Sequence, residues 1–152
     1  MLLAQIIQPS CVKVPLEAKD KTSAITELID LLKAEKLLQN KDDALQSVLA
    51  REQTRTTGIG SGVAIPHGKS KSVKELVMAA GIARQPIDFN SVDSKPVSII
   101  MLLVSPVDQT GPHIQALAKI SKMMLDESFR TKLKNASSSA EVCELLSNKE
   151  NE

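Results

Sequence analysis

TGIGSGVAIPHGK, from Thr57 to Lys69, gathers four of the chain's six glycines (Gly58, Gly60, Gly62 and Gly68) and one of its two histidines, His67. Glycines permit tight backbone turns and leave N–H groups uncovered. Between them, Gly62-Val63-Ala64-Ile65 forms a short apolar strand. Pro66 fixes its own φ and pushes Ile65 into an extended conformation. His67 is then expected at a strand end, with Gly68 behind it and no bulky neighbour to screen the ring. Such an arrangement presents one imidazole to something arriving from solvent.

Other glycine motifs do not fit. Gly58-Ile59-Gly60 begins a dinucleotide fingerprint, but Val63 stands where the third glycine is needed. Ser61 lacks the flanking glycines of a nucleophile elbow, with Ile59 and Val63 in their places. No Walker lysine follows. Two histidines and two cysteines 132 positions apart (Cys11, Cys143) do not make a zinc ligand set, so no metal is expected.

The rest of the chain frames this segment. Its 152 residues fit one domain. It has no Trp or Tyr, so the core is expected to be aliphatic, with only Phe89 and Phe129 as aromatics. A net charge of +1 and the lack of base-stacking side chains exclude the usual nucleic-acid binder. No apolar run approaches membrane-spanning length, and no signal peptide is recognisable. Two cysteines at opposite ends of the sequence read as reduced structural thiols of a cytoplasmic protein.

Periodicity predicts an α/β domain, a central mixed sheet with helices packed on both faces. Residues 4–14 read as an edge strand and loop broken by Pro9. A helix over about 21–36 carries Ile25, Leu28, Ile29 and Leu32 on one face and is capped by Asp20 or Thr22. Asn40 starts a second, with Asp43 three residues on and Ala44, Leu45, Val48 and Leu49 facing the core. It ends before Gly58, with Arg51 in its last turn. LVMAAGIA (76–83) reads as a strand ended by Gln85-Pro86. VSIIMLLV (97–104) reads as a central strand covered on both sides. A helix begins near His113, with Ile114, Leu117, Ile120 and Met124 on one face, and helical segments follow at 127–135 and 139–147. Residues 145–152 read as a frayed tail. Met78, Met101, Met123 and Met124 are expected in the core. Lys69, Lys71 and Lys74 form a basic run, a solvated face or a greeting to an acidic partner.

TGIGSGVAIPHG, together with LAREQTRTTGIG (49–60), PIDF (86–89) and KPVSIIMLLVSPVDQTGPHIQALAKIS (95–121), resembles the phosphotransferase-system enzyme IIA domains of the fructose/mannitol type. That group includes the nitrogen-regulatory IIA proteins. The resemblance covers nearly the whole chain, read as one such domain over 1–152. It implies that His67 takes a phosphoryl group from the small phosphocarrier protein of the system. It implies that His113, in the DQT-x-x-H pattern from Asp108, is the second active-site histidine, and that Arg51 is the active-site arginine. The acceptor is either a IIB domain or a regulated partner protein.

The chemistry of these residue types agrees. A neutral imidazole is a competent nucleophile near pH 7, and the phosphoramidate it forms passes its group on readily. Arg51 can offer a planar fork of donors to phosphoryl oxygens. His113 near a helix start is expected to have a depressed pKa and to attract an anion. No cofactor is required. Neither cysteine is followed by the phosphate-binding loop of a IIB nucleophile, and no membrane IIC is present. A domain standing free of both leans towards regulation, with sugar transport as the alternative and a non-phosphorylated binding module as a third reading.

Overall fold

The nine residues of β6 (Val97–Ser105) are all buried, because helices close over both sides of the strand they form. In the computed structural model, which describes Met1–Glu152, the other elements are α1 (Leu3–Ile6), a 3-10 turn (Pro9–Cys11), β1 (Val12–Lys13), α2 (Lys21–Ala34), α3 (Lys41–Thr54), β2 (Gly58–Gly60), β3 (Val63–Ala64), β4 (His67–Lys69), β5 (Val77–Ile87), α4 (Thr110–Met123), α5 (Glu127–Lys134) and α6 (Ser139–Glu150). Successive side chains of a strand point to opposite faces. Ile99, Met101 and Leu103 therefore join Ala116, Ile120, Phe129, Leu133, Val142 and Leu146 of α4–α6. Ile100, Leu102 and Val104 join Ile25, Leu28, Ile29, Leu32, Ala44 and Val48 of α2 and α3. The single domain is thus one mixed sheet between two aliphatic cores, as periodicity predicts.

The sheet runs β1-β5-β6-β3-β2, with β4 also paired to β6. β5 lies antiparallel to β6 from Val77↔Val104 to Ile87↔Val97. On the other edge, β3 and β4 share β6 in series and in parallel, Val63↔Ile99 and then His67↔Leu103. Pro66 lies between them and still accepts from the Leu103 N–H at 3.0 Å. His67 therefore does not hang from a strand end, as the sequence suggested; its backbone is the first rung of β4. β2, which the glycines concealed, pairs with β3 through a turn in which Ser61 and Gly62 both have positive φ, 57° and 78°. Two such residues between antiparallel strands give the twist that a short hairpin needs.

The caps are those expected: Asp20 accepts from Ser23 N–H (2.9 Å) and Asn40 from Asp43 N–H (3.1 Å). Four expectations fail. Only Val12–Lys13 of the 4–14 segment is strand, and Leu3–Ile6 is helical. β5 does not stop at Gln85-Pro86; a register irregularity between Ile82 and Ile87 absorbs the proline on exposed residues. Ile114 is not a core residue but 59% exposed; α4 starts three residues before His113, which turns His113 and Ala116 inward instead. The tail is helical to Glu150, whose carboxylate accepts from the N–H groups of Leu3 (2.6 Å) and Ala4 (2.8 Å) and pairs with Lys119 (3.0 Å).

α3 reaches β4 closely. Ser47 Oγ donates to Lys69 O at 2.6 Å, and a Cβ on Gly68 would stand 2.7 Å from Ser47 Oγ and 3.0 Å from the Val48 nitrogen. Helix backbone cannot yield as a flexible side chain can. Gly68→Ala is expected to destabilise the protein by about 1–3 kcal/mol through overpacking, read as a lower urea midpoint with an unchanged slope. An unaltered midpoint would show that α3 can retreat from β4 without cost.

Candidate functional site

Three segments converge at the C-terminal half of β6. β4 brings His67, the last turn of α3 brings Arg51, and the first turn of α4 brings His113. The rings of His67 and His113 meet edge to face, with centroids 5.3 Å apart and planes at 61°. A cavity of about 260 Å³ opens beside His67 and is lined by Arg51, Arg55, Thr57, Ile59, Ile65 and Val92, among others. His113 does not line it and reaches the site through its contact with His67. All three residues singled out in the sequence are thus brought to one place.

Each imidazole has one nitrogen fixed. His67 Nδ1 lies 2.8 Å from the carbonyl oxygen of Ile65. A carbonyl only accepts, so Nδ1 carries the proton and Nε2 holds the lone pair. That Nε2 has no partner within the chain and is not sealed from solvent. His113 Nδ1 is hydrogen-bonded to the hydroxyl of Ser105, the last residue of β6.

The surroundings favour neutral rings. Burial lowers the pKa of His67; the Ile65 hydrogen bond opposes this, and the Arg51 charge adds to the lowering. His113, 6% exposed, is pushed down to about 4 by burial first, then by His67 and Lys69. The sequence suggested a helix terminus as the cause. In fact His113 is the fourth residue of α4, and its own N–H already faces Gln109 O at 3.4 Å.

Arg51 is half-buried and spends one nitrogen, Nη1, on Arg55 O (2.9 Å) at the end of its own helix. The rest of its guanidinium has no partner in the chain. Around this trio stand residues that the sequence did not single out. Glu52 is buried and accepts from Thr57 N–H (2.9 Å), Thr57 Oγ1 (2.5 Å) and Lys21 Nζ (2.9 Å). It ties the end of α3 to the start of the glycine segment, and its place four residues after Val48 on a buried stripe was the available signal. Lys69, half-buried, does more than join a basic run: its Nζ donates to Thr110 Oγ1 at 2.8 Å, across to the start of α4. Lys71 and Lys74 do point to solvent. Ser105 closes an otherwise apolar row and gave no sign of its partner. No group of His, Cys, Asp and Glu side chains is arranged to hold a metal ion. No helix is long and apolar enough to cross a membrane.

A neutral imidazole with an outward lone pair, beside guanidinium groups in an open cavity, is a site for receiving an anionic electrophile and handing it on. The comparisons agree with that class. The family described as "Phosphoenolpyruvate-dependent sugar phosphotransferase system, EIIA 2" matches residues 5–149. A nitrogen regulatory protein of Klebsiella oxytoca is 31% identical over 147 residues, 95% of this chain and 89% of that protein. The fructose-specific EIIABC component of Bacillus subtilis (strain 168) is 27% identical over 146 residues; these are 96% of this chain but only 23% of that much longer protein. The crystal structure of the nitrogen regulatory protein IIA-Ntr from Neisseria meningitidis superposes with a TM-score of 0.88 at 35% identity, covering 95% of this chain and 98% of that one. The chain belongs to the EIIA 2 family of the phosphotransferase system. It is a phosphocarrier, a phosphotransferase component of the kind that carries phosphohistidine.

The two depressed histidines leave a pH signature. In the unfolded chain they take protons near pH 6.5, whereas folded His113 resists until about pH 4. Stability from this source is complete above pH 6.5 and is lost as pH falls towards 4, by about 3 kcal/mol for His113. His113→Gln should make the decline of melting temperature between pH 6.5 and 4.5 shallower than in the wild type. Equal slopes would show that burial of His113 does not resist protonation.

Proposed function

We propose that His67 Nε2 is the phosphoacceptor, that Arg51 holds the phosphoryl oxygens and that His113 supports the transferred group without carrying it. The single observation behind this reading is the Nδ1–H of His67 committed to Ile65 O, which leaves Nε2 as the one nucleophilic nitrogen of a ring that lines the cavity. Its lone pair attacks phosphorus of the incoming phosphohistidine; the new P–Nε2 bond forms as the donor's P–N bond breaks. The ring gains positive character, and the Nδ1–H···O=C bond then becomes charge-assisted and stronger. Catalysis is otherwise positioning and charge neutralisation. The donor is the small phosphocarrier protein of the system, and the acceptor is a IIB domain or a protein regulated by the phosphorylation state. We place the relay in the cytoplasm, where the two unpaired thiols Cys11 and Cys143 are stable.

Regulation is the reading favoured for that state. Identities of 31% to a nitrogen regulatory protein and 35% to the IIA-Ntr structure support it. The match to a fructose-specific EIIABC component supports transport as a second reading. Deleting the gene separates the two. Regulation predicts intact growth on every single sugar with altered control of other pathways, whereas selective loss of growth on one sugar supports transport.

The chemistry is tested with phosphoenolpyruvate, enzyme I and the phosphocarrier protein. His67 should acquire label that is stable in alkali and lost in acid, and His67→Ala should acquire none. Arg51→Ala should be labelled about 10- to 100-fold more slowly, the value of charge-assisted bonds to a phosphoryl group, with its melting temperature little changed. Label persisting in His67→Ala, or normal rates in Arg51→Ala, would overturn the respective role.

A further inference from the structure

β6 alternates its side chains across the sheet, and Ser105 falls on the row of Ile99, Met101 and Leu103, the row that faces α4. It is the only polar member of that row. Its residue is 0% exposed, and its hydroxyl has a single hydrogen-bond partner, His113 Nδ1. The backbone carbonyl of Ser105 is already used by Ser70 N–H (2.9 Å). The question is which of the two groups donates.

A hydroxyl carries one proton, which in a sealed site needs an acceptor. If His113 Nδ1 held its own proton and gave it to Ser105 Oγ, the Ser105 proton would have nowhere to go. With Nδ1 as acceptor, both atoms are satisfied and His113 carries its proton on Nε2. That nitrogen has no partner within the chain and is not sealed from solvent. Its state decides the sign of its interaction with a phosphoryl oxygen: an N–H attracts the anion and a lone pair repels it. We propose that the Ser105 hydroxyl fixes the tautomer and orientation of His113 by donating to Nδ1, so that His113 meets the phosphoryl group on His67 as an Nε2–H donor. Ser105 is a positioning residue and never touches the transferred group. This rests on His67 being the phosphoacceptor, and it goes further by assigning the polarity of the second histidine to a strand residue that the sequence did not single out.

The experiment pairs imidazole ¹⁵N spectra with single-turnover transfer into and out of His67, for wild type, Ser105→Ala and Ser105→Cys. Protonated and unprotonated ring nitrogens resonate far apart, so the tautomer is read directly. In the wild type at pH 7.5, His113 is expected with Nε2 protonated and Nδ1 unprotonated. Ser105→Ala should show a mixture of tautomers and transfer about 3- to 10-fold more slowly, the value of one neutral hydrogen bond, while still labelling His67 completely at long times. Ser105→Cys, a near-isostere with a weak donor, should fall between. The wild-type spectrum alone decides the donor even if a variant fails to fold: a protonated Nδ1 on His113 overturns the proposal. So do unchanged rates, or unchanged tautomers, in folded Ser105→Ala. Absence of label on wild-type His67 is a different result and overturns the phosphoacceptor assignment instead.

Discussion

One edge of β6 has to serve two short strands, and the site depends on how it is shared. β3 takes Ile99 and Ile100, β4 takes Leu103 to Ser105, and Pro66 marks the break. A continuous strand would continue the regular ladder through Ile65 and Pro66. The break instead leaves the Ile65 carbonyl free for the His67 ring two residues on, while the Pro66 carbonyl and the His67 backbone stay fastened to β6. The imidazole is therefore oriented by its own main chain. Holding a reacting group in place before the reactant arrives removes entropy and reorganisation from the barrier, and in the proposed transfer Pro66 and the β4–β6 ladder would do the holding.

In the proposed transfer, Arg51 acts at two stages. An imidazole nucleophile must be unprotonated, and phosphoryl transfer to it would leave a dianionic group on the ring. Burial with a nearby Arg51 keeps His67 unprotonated, and burial with His67 and Lys69 does so for His113. If His67 is the phosphoacceptor, the Arg51 charge that discourages a proton on it also attracts the phosphoryl group. The one buried carboxylate near this cluster, Glu52, does not compete for the cations at the cavity. Lys21 from α2 and two donors of Thr57 satisfy it. A free carboxylate there would repel the incoming phosphate.

Local signals carried much of this into the sequence. The unbroken apolar run 97–104 announced a strand covered on both sides, and Asp20 and Asn40 announced two helix starts. What stayed hidden was non-local. Gly58–Gly60 is a strand only because β3 pairs with it, and no propensity favours that. Pro86 looked like a stop because a sequence does not reveal an irregular register. Ile114 was placed inside and His113 at a helix start because α4 begins at Thr110; a small shift in a helix start rotates every side chain around the axis. The roles of Glu52, Lys69 and Ser105 depend on partners 5, 41 and 8 residues away, and residue type alone cannot name such partners.

The 5.3 Å between the two rings spans β4 and α4, which are not consecutive in the chain, and α4 leaves β6 through Pro106 to Gln109, a short segment outside helix and strand. α4 is fixed at both ends by cross-links to other elements. At its start, Lys69 Nζ bonds Thr110 and Ser105 bonds His113; both come from paired residues at the ends of β4 and β6, in register with one another. Further along, Ala116 and Ile120 are buried in the core against β6. Lys119 bonds the Met1 carbonyl (2.5 Å) and Glu150 (3.0 Å), the same Glu150 that receives the N–H groups of α1. The Glu150 side chain is only 2% exposed; burial raises its pKa, but the N–H groups of Leu3 and Ala4 together with Lys119 outweigh that and hold it below the ordinary carboxylate value. The first and last helices of the chain thus brace the helix that carries His113, and the spacing of the two histidines is a property of the whole packed domain.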